Sequence, residues 1–108
     1  MAVDAWAAAW ARQDVDAYLG AYADAFQVPG GATREAWEAQ RRERVLGPKS
    51  ISVSLDDPRV DLVGDQRARV TFLQRYRSDR FKGSSRKTLV LGLSSDGRWR
   101  ILEERIGR

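Results

Sequence analysis

The sequence predicts an α+β domain in which three N-terminal helices pack on a strongly curved antiparallel sheet. Apolar residues recur at helical spacing up to about residue 46, as is typical of amphipathic helices. After residue 50, apolar and polar residues alternate with period two, which indicates strands buried on one face only. Short turn-forming segments separate these strands, so neighbouring strands should run antiparallel. Helices followed by strands in this way are the pattern of an α+β domain.

The first two predicted helices carry most of the aromatic residues of the N-terminal half. Val3, Trp6 and Trp10 fall at helical spacing, and this first helix is expected to end near Arg12. Asp14 is the expected N-cap of a second helix, whose apolar face is Val15, Tyr18, Leu19 and Tyr22. An exposed platform for stacking carbohydrate is the alternative for these aromatic residues. Their helical spacing favours burial in the core.

The third predicted helix is more polar than the others. Thr33 is its expected N-cap, and Gly47-Pro48 should end it shortly after Val45. Trp37 is its main apolar residue, and Arg41 follows one turn later, where its guanidinium can stack on the indole. We expect this helix to cover the edge of the core and to add Trp37 and Arg41 to a candidate pocket.

The segment 66–80 predicts one long strand whose inward side changes character along its length. Its even positions are Ala68, Val70, Phe72, Gln74, Tyr76 and Ser78. The inward face is therefore apolar at first and hydrogen-bonding beyond Phe72. An inward face that becomes polar is typical of a concavity that holds a ligand. The alternative is a strand end that extends into solvent past Leu73.

The connections set the expected register of the strands. Asp56-Asp57-Pro58 is expected to break the first strand region. A turn at 82–85 would place Tyr76 opposite Leu91. A three-residue hairpin at 95–97 places the inward residues of the last two strands opposite one another and turns Glu103 inward. The polar end of the concave face is then formed by Gln74, Tyr76, Ser78, Lys87 and Glu103.

The outer face of the same strands is rich in arginine. It collects Arg67, Arg69, Arg75, Arg77, Arg86, Arg98 and Arg100 around an apolar centre. An apolar centre with an arginine-rich rim is typical of a protein interface. We therefore predict a homodimer that is joined through Leu73, Arg75, Val90, Arg100 and Leu102. A basic adaptor for an anionic polymer is the alternative, although nucleic acid is not expected because this face lacks exposed aromatic residues for base stacking.

Composition limits the possible chemistry. A chain of 108 residues with net charge +4 is long enough for one domain, which we place at 1–108. The absence of Cys and His excludes disulfides, thiol nucleophiles, imidazole bases and Cys/His zinc sites. We expect neither a metal nor a cofactor. No segment has the length of a membrane span or the form of a signal peptide, so the chain is either cytoplasmic or a domain of a secreted parent.

Several segments resemble the nuclear transport factor 2-like superfamily, and in particular the domain appended to bacterial L,D-transpeptidase and L,D-carboxypeptidase proteins. They are residues 10–18, 37–42, 74–79, 86–89 and 99–104, and the resemblance extends over nearly the whole chain. It implies a cystatin-like cone, a place in the periplasm or cell envelope, and a ligand derived from peptidoglycan. No enzymatic domain, repeat array or secretion signal accompanies the resemblance.

Enzymes of that superfamily, which include isomerases and dehydratases, place titratable residues inside the cone. Tyr76, Lys87 and Glu103 are the inward candidates here, and Glu103 is the candidate general base of a small isomerase or cyclase. Alternatively, Glu103 pairs with Lys87 and both bond to Gln74 and Tyr76, as buried charges require. With no inward His or Asp, the sequence favours a non-catalytic binding or dimerisation module.

Overall fold

A computed structural model describes residues 2–106 and confirms the α+β architecture. The helices are α1 (Ala2–Ala11), α2 (Val15–Gly20) and α3 (Arg34–Leu46), with a short 3₁₀ turn at Pro29–Gly31. The strands are β1 (Ile51–Leu62), β2 (Arg67–Ser78), β3 (Lys82–Leu93) and β4 (Trp99–Ile106). They form one antiparallel sheet in the order β1-β2-β3-β4. The helices lie on its concave side.

Both predicted N-caps are confirmed. The Asp14 carboxylate accepts a hydrogen bond from the Ala17 amide at 3.2 Å, and the Thr33 hydroxyl accepts one from the Ala36 amide at 3.1 Å. Each bond satisfies an amide that has no partner within the first turn of its helix. The two caps fix where α2 and α3 begin, and hence where their aromatic residues meet the sheet.

The core lies between the helices and the inward face of β2, β3 and β4. Phe72 is fully buried at 0% exposure, and its ring centroid lies 6.2 Å from that of Trp6. The aromatic residues of the first two helices are buried with it, namely Trp6, Trp10, Tyr18 and Tyr22. Burial of Trp6 and Tyr18 at 1% and 0% exposure excludes the exposed carbohydrate platform.

The expected break in the first strand region is instead a bulge within β1. Asp56 pairs with Leu73 and Arg59 pairs with Thr71, so two residues of β1 lie opposite one residue of β2. Asp57 takes a left-handed conformation with φ of 53°. The bulge accommodates both Asp57 and Pro58, so the strand continues through this segment.

The predicted turn at 82–85 is wrong, because those residues belong to β3. The chain turns earlier, where the Ser78 amide donates to the Phe81 carbonyl at 2.7 Å. Tyr76 therefore pairs with Gly83 instead of Leu91, a displacement of eight residues. An even displacement leaves the side chains of β2 and β3 on their predicted faces, since strand faces alternate with period two. Its consequence is that Lys87 lies opposite Phe72, over the core.

Candidate functional site

A second bulge determines which glutamate enters the cone. Leu91 pairs with Ile101 as predicted, but Val90 pairs with Glu103, so Leu102 is an extra residue in β4. Beyond the bulge, each β4 side chain lies on the face opposite to the one that simple alternation predicts. Glu103 is therefore on the outer face and pairs with Arg105 at 2.7 Å, and the prediction that it faces inward is wrong.

Glu104 takes the inward position and is the anion of a buried charge cluster. Its Oε2 accepts from Lys87 Nζ at 2.8 Å, and its Oε1 lies 3.4 Å from Arg41 Nη1. The Tyr22 hydroxyl donates to Oε1 at 2.5 Å. The side chains of Glu104 and Lys87 are each 5% exposed. The pairing predicted for Glu103 and Lys87 thus exists, but with the next residue along the chain.

Aromatic side chains enclose this cluster. Arg41 Nη1 donates to the Tyr18 hydroxyl at 2.7 Å, and Trp6 Nε1 donates to the Tyr22 hydroxyl at 3.1 Å. The Lys87 ammonium lies 5.4 Å from the ring centroid of Trp6. The predicted stacking of Arg41 on Trp37 is confirmed at 5.1 Å. Cation–π contacts of this kind are strongest where water is excluded, as it is here.

The charges of the cluster shift one another's ionisation. Burial opposes ionisation of Glu104, but the charges of Lys87 and Arg41 outweigh it and lower the pKa of that carboxyl. Burial outweighs the attraction of Glu104 for Lys87 and lowers the pKa of the ammonium. The balance differs between the two groups because Glu104 is attracted by two cations, whereas Lys87 shares its one carboxylate with Arg41. Burial also raises the pKa of Tyr22, so its hydroxyl remains a hydrogen-bond donor.

A pocket of about 640 Å³ opens beside the cluster, between α3 and the β2–β3 hairpin. Its lining comprises Trp10, Gln40, Glu43, Arg44, Pro48, Gln74, Tyr76, Ser78, Arg80, Phe81, Gly83, Ser84 and Ser85. Three of the predicted pocket residues, Gln74, Tyr76 and Ser78, line it. Lys87, Arg41 and Trp37 are buried behind it and do not contribute to its lining, and Glu103 lies on the other face of the sheet.

One wall of this pocket is a ladder of aromatic rings. The ring centroids of Trp10 and Tyr76 are 5.2 Å apart, and those of Tyr76 and Phe81 are 6.1 Å apart. The ladder extends from the buried Trp10 to Phe81, which is 65% exposed at the hairpin tip. Neighbouring rings are tilted by 34° and 38°, and together they form an apolar wall along the depth of the pocket.

The base of the pocket contains hydrogen-bonding groups without a partner. Among the described residues, neither Gln74 Oε1 nor Trp10 Nε1 makes a hydrogen bond, and both atoms are shielded from solvent. The two side chains are buried, at 7% and 5% exposure. Leaving a buried polar group unpaired costs about 1–3 kcal/mol. Such groups in a native structure call for an explanation, and for Gln74, whose side chain lines the pocket, a role in binding is one.

Ten of the thirteen lining residues were not among the predicted pocket residues, and three of these, Phe81, Arg80 and Arg44, bear on the chemistry of the pocket. Phe81 and Arg80 belong to the hairpin turn. Their positions follow from the pairing of β2 with β3, which lies eight residues away from the predicted pairing. Arg44 lies three residues after Arg41 on the same side of α3, and this helical spacing was the available signal.

The outer face of the sheet has the predicted apolar centre. Leu73, Val90 and Leu102 are half-buried there. Three of the arginines of this face are matched within the chain: Arg75 pairs with Asp56, Arg100 with Asp96, and Arg69 with Asp61. This matching reduces the positive charge available to an anionic polymer. The structure contains one chain, so the predicted dimer stays a prediction.

These features define a class of protein. Three helices on a curved antiparallel sheet, with a pocket at the open end, form a nuclear transport factor 2-like (NTF2-like) domain. Within that class the chain belongs to the family of the Cds6 C-terminal NTF2-like domain, whose model matches residues 1–105.

Solved structures agree with this assignment. Bd1075 from Bdellovibrio bacteriovorus is similar over 97% of this chain, with 28% identity and a TM-score of 0.84. Pgp2 from Campylobacter jejuni, named as a helical cell shape determining protein, is 19% identical over 96% of this chain, with a TM-score of 0.79. A candidate ketosteroid isomerase from Shewanella frigidimarina is 17% identical over 98% of this chain, with a TM-score of 0.76. The last two similarities concern the fold alone.

The chain corresponds to only part of the first two proteins. It spans 37% of the Bd1075 chain and 38% of the Pgp2 chain, against 91% of the candidate isomerase. No curated protein sequence matches it. Among the described residues, no helix has the length and apolar character needed to cross a membrane.

Proposed function

We propose that this NTF2-like domain is a non-catalytic binding module of a bacterial cell-envelope protein that acts on peptidoglycan. The pocket beside α3 holds the ligand, and the outer sheet face joins two copies of the domain. In this role the module holds wall material, or positions a catalytic neighbour against it.

The observation that carries the proposal is the unpaired amide oxygen of Gln74 beside an open pocket. The oxygen is shielded from solvent as it is placed, and a turn of the amide by 180° about its terminal torsion presents it to a bound molecule. A pocket of about 640 Å³ is within the size range of small-molecule sites. A side chain that lines a pocket of that size, and whose amide oxygen makes no bond within the described residues, favours ligand binding over a structural role for Gln74.

The buried charge cluster argues against the alternative of an isomerase or cyclase. A general base needs a carboxylate within reach of its substrate, with a pKa near the working pH. Glu104 is bonded to Lys87 and Tyr22, its pKa is lowered, and it does not line the pocket. Glu43 does line the pocket, but it is exposed on α3. The cluster stabilises the cone and leaves the pocket without a poised base.

The assignment to the cell envelope depends on the relatives. Pgp2 is named for determining helical cell shape, and the sequence resembles domains appended to L,D-transpeptidases and L,D-carboxypeptidases. Both Bd1075 and Pgp2 are more than twice as long as this chain, which fits a module attached to other segments. A cytoplasmic location is the alternative, and it would separate the domain from the wall.

Co-sedimentation with purified peptidoglycan sacculi tests the proposal. We expect the wild-type domain to pellet with sacculi and Gln74→Met to remain in the supernatant. Met has nearly the shape of Gln but lacks its hydrogen-bonding groups, so the fold should be retained. Gln66→Met, the same change at an exposed position outside this pocket, is the matched control and should pellet like the wild type. A wild type that stays in solution, or a Gln74→Met variant that pellets fully, would contradict the proposal.

A further inference from the structure

The pocket rim carries two arginines without an acidic partner. Arg44 on α3 and Arg80 in the hairpin turn both line the pocket, and neither forms an ion pair among the described residues. Glu43 is the acidic residue of the lining. The lining therefore carries a net charge of +1. Unpaired guanidinium groups at the mouth of a cleft are suited to bidentate binding of an oxyanion.

The buried cluster adds to this positive charge. Lys87 and Arg41 share the single carboxylate of Glu104, so the cluster also has one excess positive charge. Its Lys87 ammonium lies 5.6 Å from the ring centroid of Trp10, whose side chain lines the pocket. A cleft with charge of one sign and low-dielectric walls concentrates ligands of the opposite sign.

The lining of the same pocket favours a ligand that contains a ring. The Trp10, Tyr76 and Phe81 ladder forms an apolar wall, and stacking on aromatic side chains suits flat rings and the apolar faces of sugars. Ser85, which pairs with Gln74 on the inward face, supplies a hydroxyl group in the lining, whereas the Ser78 hydroxyl already accepts from the Arg80 and Phe81 amides. A ligand that uses the whole lining has an apolar ring face, an oxyanion and at least one hydrogen-bond donor.

We infer that the pocket binds a small ring-bearing carboxylate, held by Arg44 and Arg80 at its anionic end and by the aromatic ladder at its ring. Gln74 accepts a hydrogen bond from an N–H or O–H of the ligand. The inference rests on the proposed binding function and names its ligand class. A sugar acid and an aromatic acid share this chemistry, and the experiment below separates them.

Isothermal titration calorimetry with two matched pairs of probes tests the inference. N-acetylmuramic acid is compared with its neutral methyl ester, and indole-3-acetate with indole-3-acetamide. In each pair the ring is the same and a neutral ester or amide replaces the carboxylate. Charge-assisted hydrogen bonds should make the acid bind roughly tenfold or more tightly than its neutral partner. Binding of the sugar pair alone would identify a sugar acid as the ligand class, and binding of the indole pair alone an aromatic acid.

Variants show whether the rim arginines are responsible. Arg44→Gln combined with Arg80→Gln should weaken binding of the acids about tenfold or more and leave the neutral probes unchanged. Arg42→Gln combined with Arg59→Gln removes the same charge from exposed positions outside the pocket and should leave binding unchanged. Thermal unfolding of both double variants checks that the fold is retained.

Three results would overturn the inference: no binding by either acid at millimolar concentration, equal binding by acids and neutral partners, or no effect of the rim variant. These outcomes are distinct from failure of the proposed function. Sacculi retained by a domain that ignores both acids would overturn the ligand class alone. Acids that bind while sacculi do not would support the ligand class and contradict the peptidoglycan role.

Discussion

Lys87 Nζ lies 2.8 Å from Glu104 Oε2, and the two residues are diagonal neighbours on β3 and β4. Lys87 pairs with Ile106, and Glu104 pairs with Leu89 one inward position away. Diagonal neighbours are within reach of long side chains. The pair places a buried ionic cluster inside the cone. In this chain the cluster is enclosed by aromatic rings, and the accessible polar surface is in the neighbouring pocket.

Glu104→Gln should strongly destabilise the domain. The change leaves Lys87 and Arg41 buried without a counter-charge, and breaking a buried ion pair in this way costs about 3–5 kcal/mol. Glu103→Gln is a matched control one residue away. It removes only a partly exposed pair with Arg105, so its cost should be about 0–1 kcal/mol. Urea unfolding of both variants measures the two costs. Equal costs, or a larger one for Glu103→Gln, would show that the β4 bulge is misplaced.

The same cluster should make the domain acid-sensitive. Burial opposes ionisation of Glu104, but the nearby Lys87 and Arg41 lower its pKa below the ordinary 4.5. Between the lowered and ordinary values the unfolded chain binds more protons, so the free energy of unfolding rises with pH there. The stability that Glu104 contributes is complete above about pH 4.5 and is lost as the pH falls through the lowered pKa.

Urea unfolding at several pH values between 7 and 3 measures this dependence. We expect the wild type to lose stability below pH 4.5 more steeply than Glu104→Gln, which has no carboxyl at that position. Parallel curves for the two proteins would mean that the Glu104 pKa is not lowered by folding.

Two phenylalanines on the β2–β3 hairpin should differ in their cost of truncation. Phe72→Ala empties a fully buried site beneath Trp6 and should cost about 3–5 kcal/mol. Phe81→Ala removes a ring that is 65% exposed, so its cost should be within about 0.5 kcal/mol. Chemical denaturation compares the two. A large cost for Phe81→Ala would mean that the hairpin tip is part of the core and not a pocket wall.

The domain should sediment as a dimer with twice the 12.2 kDa mass of one chain. Leu73→Glu places a charge in the apolar centre of the outer face and should yield a folded monomer. Leu62→Glu is the matched control, because Leu62 is 76% exposed at the far end of β1. Analytical ultracentrifugation at high concentration decides the matter. A monomeric wild type would remove the predicted interface.

Periodicity alone determined which face each residue of β2 and β3 occupies. Phe72, Gln74 and Tyr76 face inward in the structure as predicted, although the turn between the strands was misplaced. Face alternation is a property of the local backbone, so it survives any even error in register. The helix caps were equally local, since the Asp14 and Thr33 side chains bond to amides three residues away.

Only the tertiary structure decided that Glu104, and not Glu103, enters the cone. The segment before α3 docks along the edge of β4, where the Ala23 and Gln27 amides donate to the carbonyls of Ile101 and Leu102. Leu102 is left over as the bulge, and its side chain lies over Gly92, where a Cβ would approach it to 2.7 Å. The hydrogen bonds to Ile101 and Leu102 join residues more than seventy positions apart. A local sequence pattern carries no information about such long-range contacts. The alternation of apolar and polar residues therefore could not predict the β4 bulge, or which glutamate enters the cone.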